Sequence, residues 1–212
     1  MPDEIAQNQP LVVAVTGHRP PALSPTGNPS DGYKIPNPVY DLVIKGLADA
    51  FTQLKPAYVL TGMALGTDQW AAEICVNMGI PFVAAIPFRG MELKWPPHSQ
   101  AQFNWLISKA YSTQIICDGE YASWKMQKRN EWMIDSCQQV VAVYNGSSGG
   151  TKNCLVYVAK AGKPVYYVPI PPQGMPVGQF YQMLVDQSDG QIQAQPKEKV
   201  IEMPGVKRIV EI

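Results

Sequence analysis

Leu11-Val12-Val13-Ala14-Val15-Thr16-Gly17-His18-Arg19 is the stretch on which the reading of the fold turns. Leu11 to Thr16 is almost wholly apolar, rich in valine, and stopped by a glycine. That is how a strand buried on both faces of a sheet reads, as opposed to the alternating pattern of a half-exposed one. Runs of the same kind recur at Ala57–Thr61, Phe82–Ile86, Thr113–Cys117, Gln139–Tyr144 and Val165–Val168. Between them lie helical patterns. Tyr40 to Leu54 carries Val43, Leu47, Ala50, Phe51 and Leu54 on one face. Thr67 to Met78 has Thr67 as its expected N-cap and stops at Gly79 and Pro81. Further helices are expected over Ser99–Ala110, Lys125–Ser136 and Thr151–Ala161, the last with Thr151 as its cap. Pro20 to Pro38, rich in Pro, Gly, Asn and Ser, resists regular structure.

Strands alternating with helices imply right-handed βαβ crossovers. The fold class expected is therefore α/β: a Rossmann-like, doubly wound, mainly parallel sheet of about six strands. Residues 1–172 form the Rossmannoid domain in this reading, and 173–212 a linker and C-terminal arm. Gln173 to Lys199 is polar with little periodicity, and Lys199 to Ile212 reads as two short strands about Pro204-Gly205, a hairpin pattern.

Composition bounds the function. Seventeen basic and seventeen acidic residues cancel, which argues against bulk electrostatic binding of nucleic acid and against a polybasic membrane surface. Phosphate affinity must then be local. The first ten residues show neither a basic nor an apolar secretory region, and no apolar run is long enough to span a bilayer, so a cytoplasmic setting is expected. Cys75, Cys117, Cys137 and Cys154 never form a C-x-x-C pair, and His18 and His98 are the only histidines. No metal site is expected and no cofactor is implied.

In open parallel sheets ligands bind beyond the carboxyl ends of the strands. Four segments leave those ends: Thr16 onward, Gly62–Asp68, Pro87–His98 and Asn145–Thr151. In the first, Gly17 would allow close backbone approach, and His18 and Arg19 offer partners for phosphate or ribose oxygens, though such a tetrapeptide is also an ordinary solvated turn. In the second, Gly62, Ala64, Gly66 and Asp68 lie where backbone N–H groups meet an anion at a helix N-terminus, or where a tight connection simply needs glycine. The spacing differs from the dinucleotide fingerprint. In the last, Gly146, Gly149, Gly150 and Thr151 suit a phosphate cradle. Trp95 in the third segment reads as a packed anchor. Finally, Met126, Arg129, Asn130 and Met133 share one inward helix face. A buried arginine needs a partner, either a core carboxylate such as Asp135 or Glu73 or a ligand phosphate.

Taken in order, TGHR (Thr16–Arg19), TGMALGTDQWAAE (Thr61–Glu73), IPF (Ile86–Phe88) with Lys94-Trp95-Pro96 and Ser99-Gln100, RNEWMID (Arg129–Asp135) and VAVYNGSSGGT (Val141–Thr151) resemble the SLOG superfamily, the Rossmannoid group related to DprA and Lonely-Guy proteins, and its YpsA-like branch. The resemblance implies a nucleotide-derived small-molecule partner of the NAD or ADP-ribose kind, sensed or sequestered, and a homo-oligomer. Its enzymatic members, phosphoribohydrolases, carry an Arg-Lys pair and then P-G-G-x-G-T-x-x-E. Here Arg129 matches, Asn130 replaces the lysine, and Tyr144-Asn145-Gly146 stands for Pro-Gly-Gly. Gly150-Thr151 is kept, and Cys154 stands where the catalytic glutamate would be. A thiol does not stabilise an oxocarbenium-like transition state as a carboxylate does. No catalytic residue is assigned. Binding is the leading expectation, with N-glycosidic hydrolysis through Asp68 or Glu73 second and single-stranded DNA binding third.

Overall fold

The computed structural model describes residues 10–187. Within them the chain runs β1 (Val12–Gly17), α1 (Pro38–Leu54), β2 (Tyr58–Thr61), α2 (Thr67–Met78), β3 (Phe82–Ile86), α3 (Pro97–Lys109), β4 (Ser112–Ile115), α4 (Ser123–Asp135), β5 (Gln139–Tyr144), α5 (Gly150–Lys160), β6 (Val165–Pro169) and α6 (Val177–Gln187). The six strands form one sheet in the order β4-β3-β2-β1-β5-β6, and every neighbouring pair is parallel. This is the expected Rossmann-like α/β architecture.

The two faces follow from the strand period of two. Val13 and Val15 of β1 join the cluster formed with α1, α2 and α3 through Leu47, Phe51, Ile74, Phe103 and Leu106. Ala14, pointing the other way, joins Met133 and Ile134 of α4 and Cys154 and Val158 of α5. The chain winds outward from β1 to β4 with its helices on one face. It then crosses back under α4 to build β5 on the other side of β1. A right-handed crossover reversed in direction must place its helix on the opposite face. The winding therefore changes sense between β1 and β5, and it is outside the carboxyl ends at such a reversal that open α/β sheets bind their ligands.

Local chemistry explains several boundaries. Asn37 caps α1, its Oδ1 accepting the N–H groups of Val39 and Tyr40 at 3.0 and 2.9 Å, with Pro38 at the first helical position. Gly79 ends α2 in the left-handed conformation (φ 68°). The segment from Pro20 to Pro38 contains two short 3-10 turns, Pro20–Leu23 and Pro29–Tyr33.

Three expectations need correction. Neither threonine caps its helix: the caps are Gly66 and Gly149, without side-chain bonds, and Thr67 and Thr151 lie inside. β4 ends at Ile115 instead of running to Cys117. The stretch expected to be a polar arm from residue 173 contains α6, with Phe180 buried. Val177, Phe180, Tyr181 and Leu184 do have helical spacing, but the surrounding glutamines dilute it. Of the arm, residues 188–212, including the hairpin pattern, lie outside the described residues, as do residues 1–9. Among the described residues no helix is long and apolar enough to cross a membrane.

Candidate functional site

Because β1 lies between β2 and β5, the segments leaving these three strands meet at one place. The exit of β1 packs directly on the start of α2. A Cβ at Gly17 would overlap the Thr67 side chain, and one at Gly66 would press on Pro20, the His18 carbonyl and Arg19. Thr67 uses its hydroxyl to donate to the His18 carbonyl at 2.9 Å. Gly66, at φ +91°, also needs the freedom of glycine. These two glycines therefore serve the close approach of protein to protein. So does Gly62, where a Cβ would collide with the Arg129 guanidinium.

The loop after β5 is different. Gly146, Gly149 and Gly150 have nothing within 4 Å of an added Cβ, and residues 146 to 150 are exposed. Gly146 and Gly149 adopt φ +89° and +134°, which the turn into α5 requires. With no side-chain cap at Gly149, the first N–H groups of α5 face outward, the usual condition for an anion at a helix N-terminus. Of the candidate glycines, this loop alone presents open space.

His18 ties the first loop to this one. It is 6% exposed, stacks on Tyr144 at 5.4 Å, and its Nε2 accepts the Asn145 N–H at 3.3 Å. An Nε2 that accepts carries no proton, so the imidazole is neutral. Burial lowers its pKa, partly offset by its bond to Asn145. Asn145 in turn donates to the Ala22 carbonyl at 3.1 Å and accepts the Ser147 N–H at 3.0 Å. His18 is thus a strut between loops, while its neighbour Arg19 is exposed and its charge reaches both Asp68 and Arg129.

Beneath the loops lies a buried polar cluster. Arg129, 5% exposed, donates from Nη1 to the carbonyls of Gly62 and Ala85 and from Nε to Asn130 Oδ1. Its Nη1 lies 3.7 Å from Asp68 Oδ2, which also accepts the Ala64 N–H at 3.2 Å. The arginine's carboxylate partner is therefore Asp68. Asp135 accepts from Tyr157, and Glu73 lies close enough to Tyr40 on α1 to raise its pKa, so neither expected partner is used. Burial pushes Asp68 up, opposed chiefly by Arg129, and pushes Arg129 down, opposed chiefly by Asp68. Every fully buried side-chain nitrogen or oxygen among the described residues has a partner. Arg129 Nη2 makes no hydrogen bond within the cluster.

Cys154 is 2% exposed and sealed in the core shared with α4. Burial raises its thiol pKa, and a bond with Thr16 lowers it in part. It does not line the crevice. Thr151 is 8% exposed, just behind the glycines. Two residues that hold the second loop carry no mark in the sequence: Met63, fully buried in the left-handed region at φ 58°, and Gln69, which donates to the Met63 carbonyl at 3.2 Å. A non-glycine residue at positive φ leaves no compositional trace.

Comparison with known proteins agrees with this architecture. YoqJ, an SPbeta prophage-derived protein of Bacillus subtilis (strain 168), is 34% identical over 137 residues, covering 57% of this chain and 80% of YoqJ. A UPF0398 protein of Bacillus cereus is 25% identical over 156 residues, covering 70% of this chain and 82% of its own length. The solved structure of DNA processing protein A from Helicobacter pylori, reported for its single-stranded DNA binding mode, superposes with a TM-score of 0.56 at 18% identity. It covers 89% of this chain and 78% of that one, and at this identity the likeness is one of fold. The YpsA model, described as the YspA SLOG family, matches residues 13–167. With the glycine loops and the Arg129–Asp68 pair falling inside that span, the chain belongs to the YspA SLOG family.

Proposed function

We propose that this protein binds a phosphate-bearing, nucleotide-derived small molecule, of the ADP-ribose or NAD-derivative class, in the crevice between β1 and β5. It senses or sequesters that molecule without turning it over. The observation that carries the reading is the convergence, at the reversal of the winding, of the open N-terminus of α5 with two guanidinium groups. Arg19 is exposed there, and Arg129 lies beneath it with Nη2 outside the bonds of the buried cluster. Phosphate oxygens suit this set: backbone N–H donors, a helix dipole and fixed cations. Gly146, Gly149, Gly150 and Thr151 form the cradle, and Gly17, Gly62, Ala64, Gly66, Asp68 and Asn130 hold its floor.

Binding is favoured over hydrolysis because the position of the enzymatic glutamate holds a sealed thiol. The carboxylate found at the floor among the described residues, Asp68, is committed to Arg129 and the Ala64 N–H. The protein acts in the cytoplasm, as a homo-oligomer, with residues 1–172 as the ligand-bearing unit. Calorimetric titration with ADP-ribose, followed by chromatography of the same mixture after long incubation, tests the reading. Saturable binding with intact ligand is expected. Release of free base or ribose phosphate over many turnovers would promote the hydrolase. Salt-dependent capture of oligonucleotides without ADP-ribose binding would promote the single-stranded DNA reading.

A further inference from the structure

At the same carboxyl edge, on the β3–β4 side of the crevice, two large aromatic side chains stand in solvent. Tyr121 is 63% and Trp124 60% exposed. They are not loose decoration, because both are built onto a buried ammonium group. Lys125 is 5% exposed, and its Nζ donates to the carbonyls of Asp118 and Glu120 at 2.5 Å each. This folds the loop after β4 around the charge. Gly119, at φ +74°, makes the turn between those two carbonyls. The same Nζ lies 5.8 Å from the ring centres of both Phe88 and Trp124, within the range of a cation–π contact. Phe88, buried at the exit of β3, meets Tyr121 edge-on at 5.8 Å. One hidden cation thus organises two exposed rings, so a ligand stacking on them would lose little conformational freedom in ordering the site.

Position relates these rings to the phosphate loops. α4 follows a strand and must return the chain to the amino edge, so its first turn, which holds Trp124, lies at the carboxyl edge. α5 begins at the same edge, and the two helices pack together through Met133, Ile134, Cys154 and Val158. Packed helices lie about 8–10 Å apart, and Trp124 precedes Arg129 by about 7.5 Å along α4. The rings therefore stand at the same edge of the sheet as the phosphate cradle, on the helix packed beside α5. Charge separates the two ends. Asp118 and Glu120 are exposed in the loop that carries the rings, a setting that repels phosphate and accepts the donors of a neutral base.

We propose that Tyr121 and Trp124 form the subsite for the planar aromatic end, a nucleobase, of the molecule whose phosphates occupy the glycine loops. This assignment rests on the phosphate-site reading above and adds the chemistry of the ligand's other end. Stacking needs only a π face, and the carboxylates beside it select a compact nucleotide over a polyanionic strand.

The test is calorimetric titration of the full chain with ADP-ribose and with ribose 5-phosphate, which lacks the base. Wild type should bind ADP-ribose the more tightly. Tyr121→Ala combined with Trp124→Ala should weaken ADP-ribose by about 10- to 100-fold and leave ribose 5-phosphate and the melting temperature unchanged. Tyr121→Phe and Trp124→Phe should keep most of the affinity. Equal affinity of wild type for both probes, or an ADP-ribose affinity untouched by the double substitution, overturns the base subsite and leaves the phosphate site standing. Binding of neither probe by wild type removes both. If the double variant keeps its ADP-ribose affinity but changes oligomeric state in light scattering, the rings belong to an interface, and the proposal is wrong.

Discussion

Arg129 makes four contacts inside the protein. Removing it would leave Asp68 buried, 7% exposed, with no counter-charge, and the Gly62 carbonyl with one donor fewer. Breaking a buried pair from one side costs about 3–5 kcal/mol, so Arg129→Ala should lower the unfolding free energy by that order. Asp68→Asn in the same chain should recover part of the loss, because an amide leaves no charge unpaired. Urea denaturation of the single and double variants measures both effects. An Arg129→Ala protein as stable as wild type would contradict this account. The sequence already showed that the face bearing Met126, Arg129 and Met133 turns inward. It did not show the partner. Asp68 is 61 positions away, and only the strand order, which lays β2 beside β1 and under α4, brings the two together. Asp135, close in sequence, instead accepts from Tyr157.

At the level of elements, His18 ties the loop after β1 to the loop after β5. Burial holds its folded-state pKa below the ordinary 6.5, and Nε2 must stay unprotonated to accept the Asn145 N–H. As pH falls below about 6.5, the unfolded chain takes up a proton that the folded chain resists, so this residue subtracts stability. Above that value it does not. The raised pKa values of Asp68 and Glu73 act in the opposite direction at lower pH, but they are common to wild type and a His18→Gln variant. The stability difference between the two should therefore shift in the variant's favour from pH 7 to pH 5. Denaturation curves at the two values check this, and a pH-independent difference would show that His18 is not the strut described. Element type was legible because periodicity and glycine stops are local. The helix caps were not. Capping rules favour Thr67 and Thr151, but Thr67 is drawn inside by its bond to the His18 carbonyl, a tertiary contact that overrides the local preference. The same limit applied to α6, whose apolar positions Val177 and Phe180 matter only because a core lies beside them.

Across the whole molecule, the proposed site draws on residues 17–19, 62–68, 129–130 and 145–151, which come from both senses of the winding. A ligand held there would bind only the complete sheet. At a hundred times its dissociation constant, such a ligand should add about 2.7 kcal/mol to the stability of the entire fold. A thermal-shift titration with ADP-ribose should show one cooperative transition moving upward, and a transition that splits would mean that the halves unfold separately.

The central place of β1 also matters before the protein is complete. This nearly all-apolar strand leaves the ribosome well before β5 does. Its β2 edge can be paired early, but its other edge waits for Gln139–Tyr144, and the bond from the Val12 N–H to Gln138 spans 126 residues. At translation rates of about 5–20 residues per second, that edge stays bare for several seconds or more on every nascent chain. For that interval it is a template for the wrong strand. Synthesis speed and chaperone supply, more than the stability of the finished sheet, should then set how much of this protein a cell can recover in folded form.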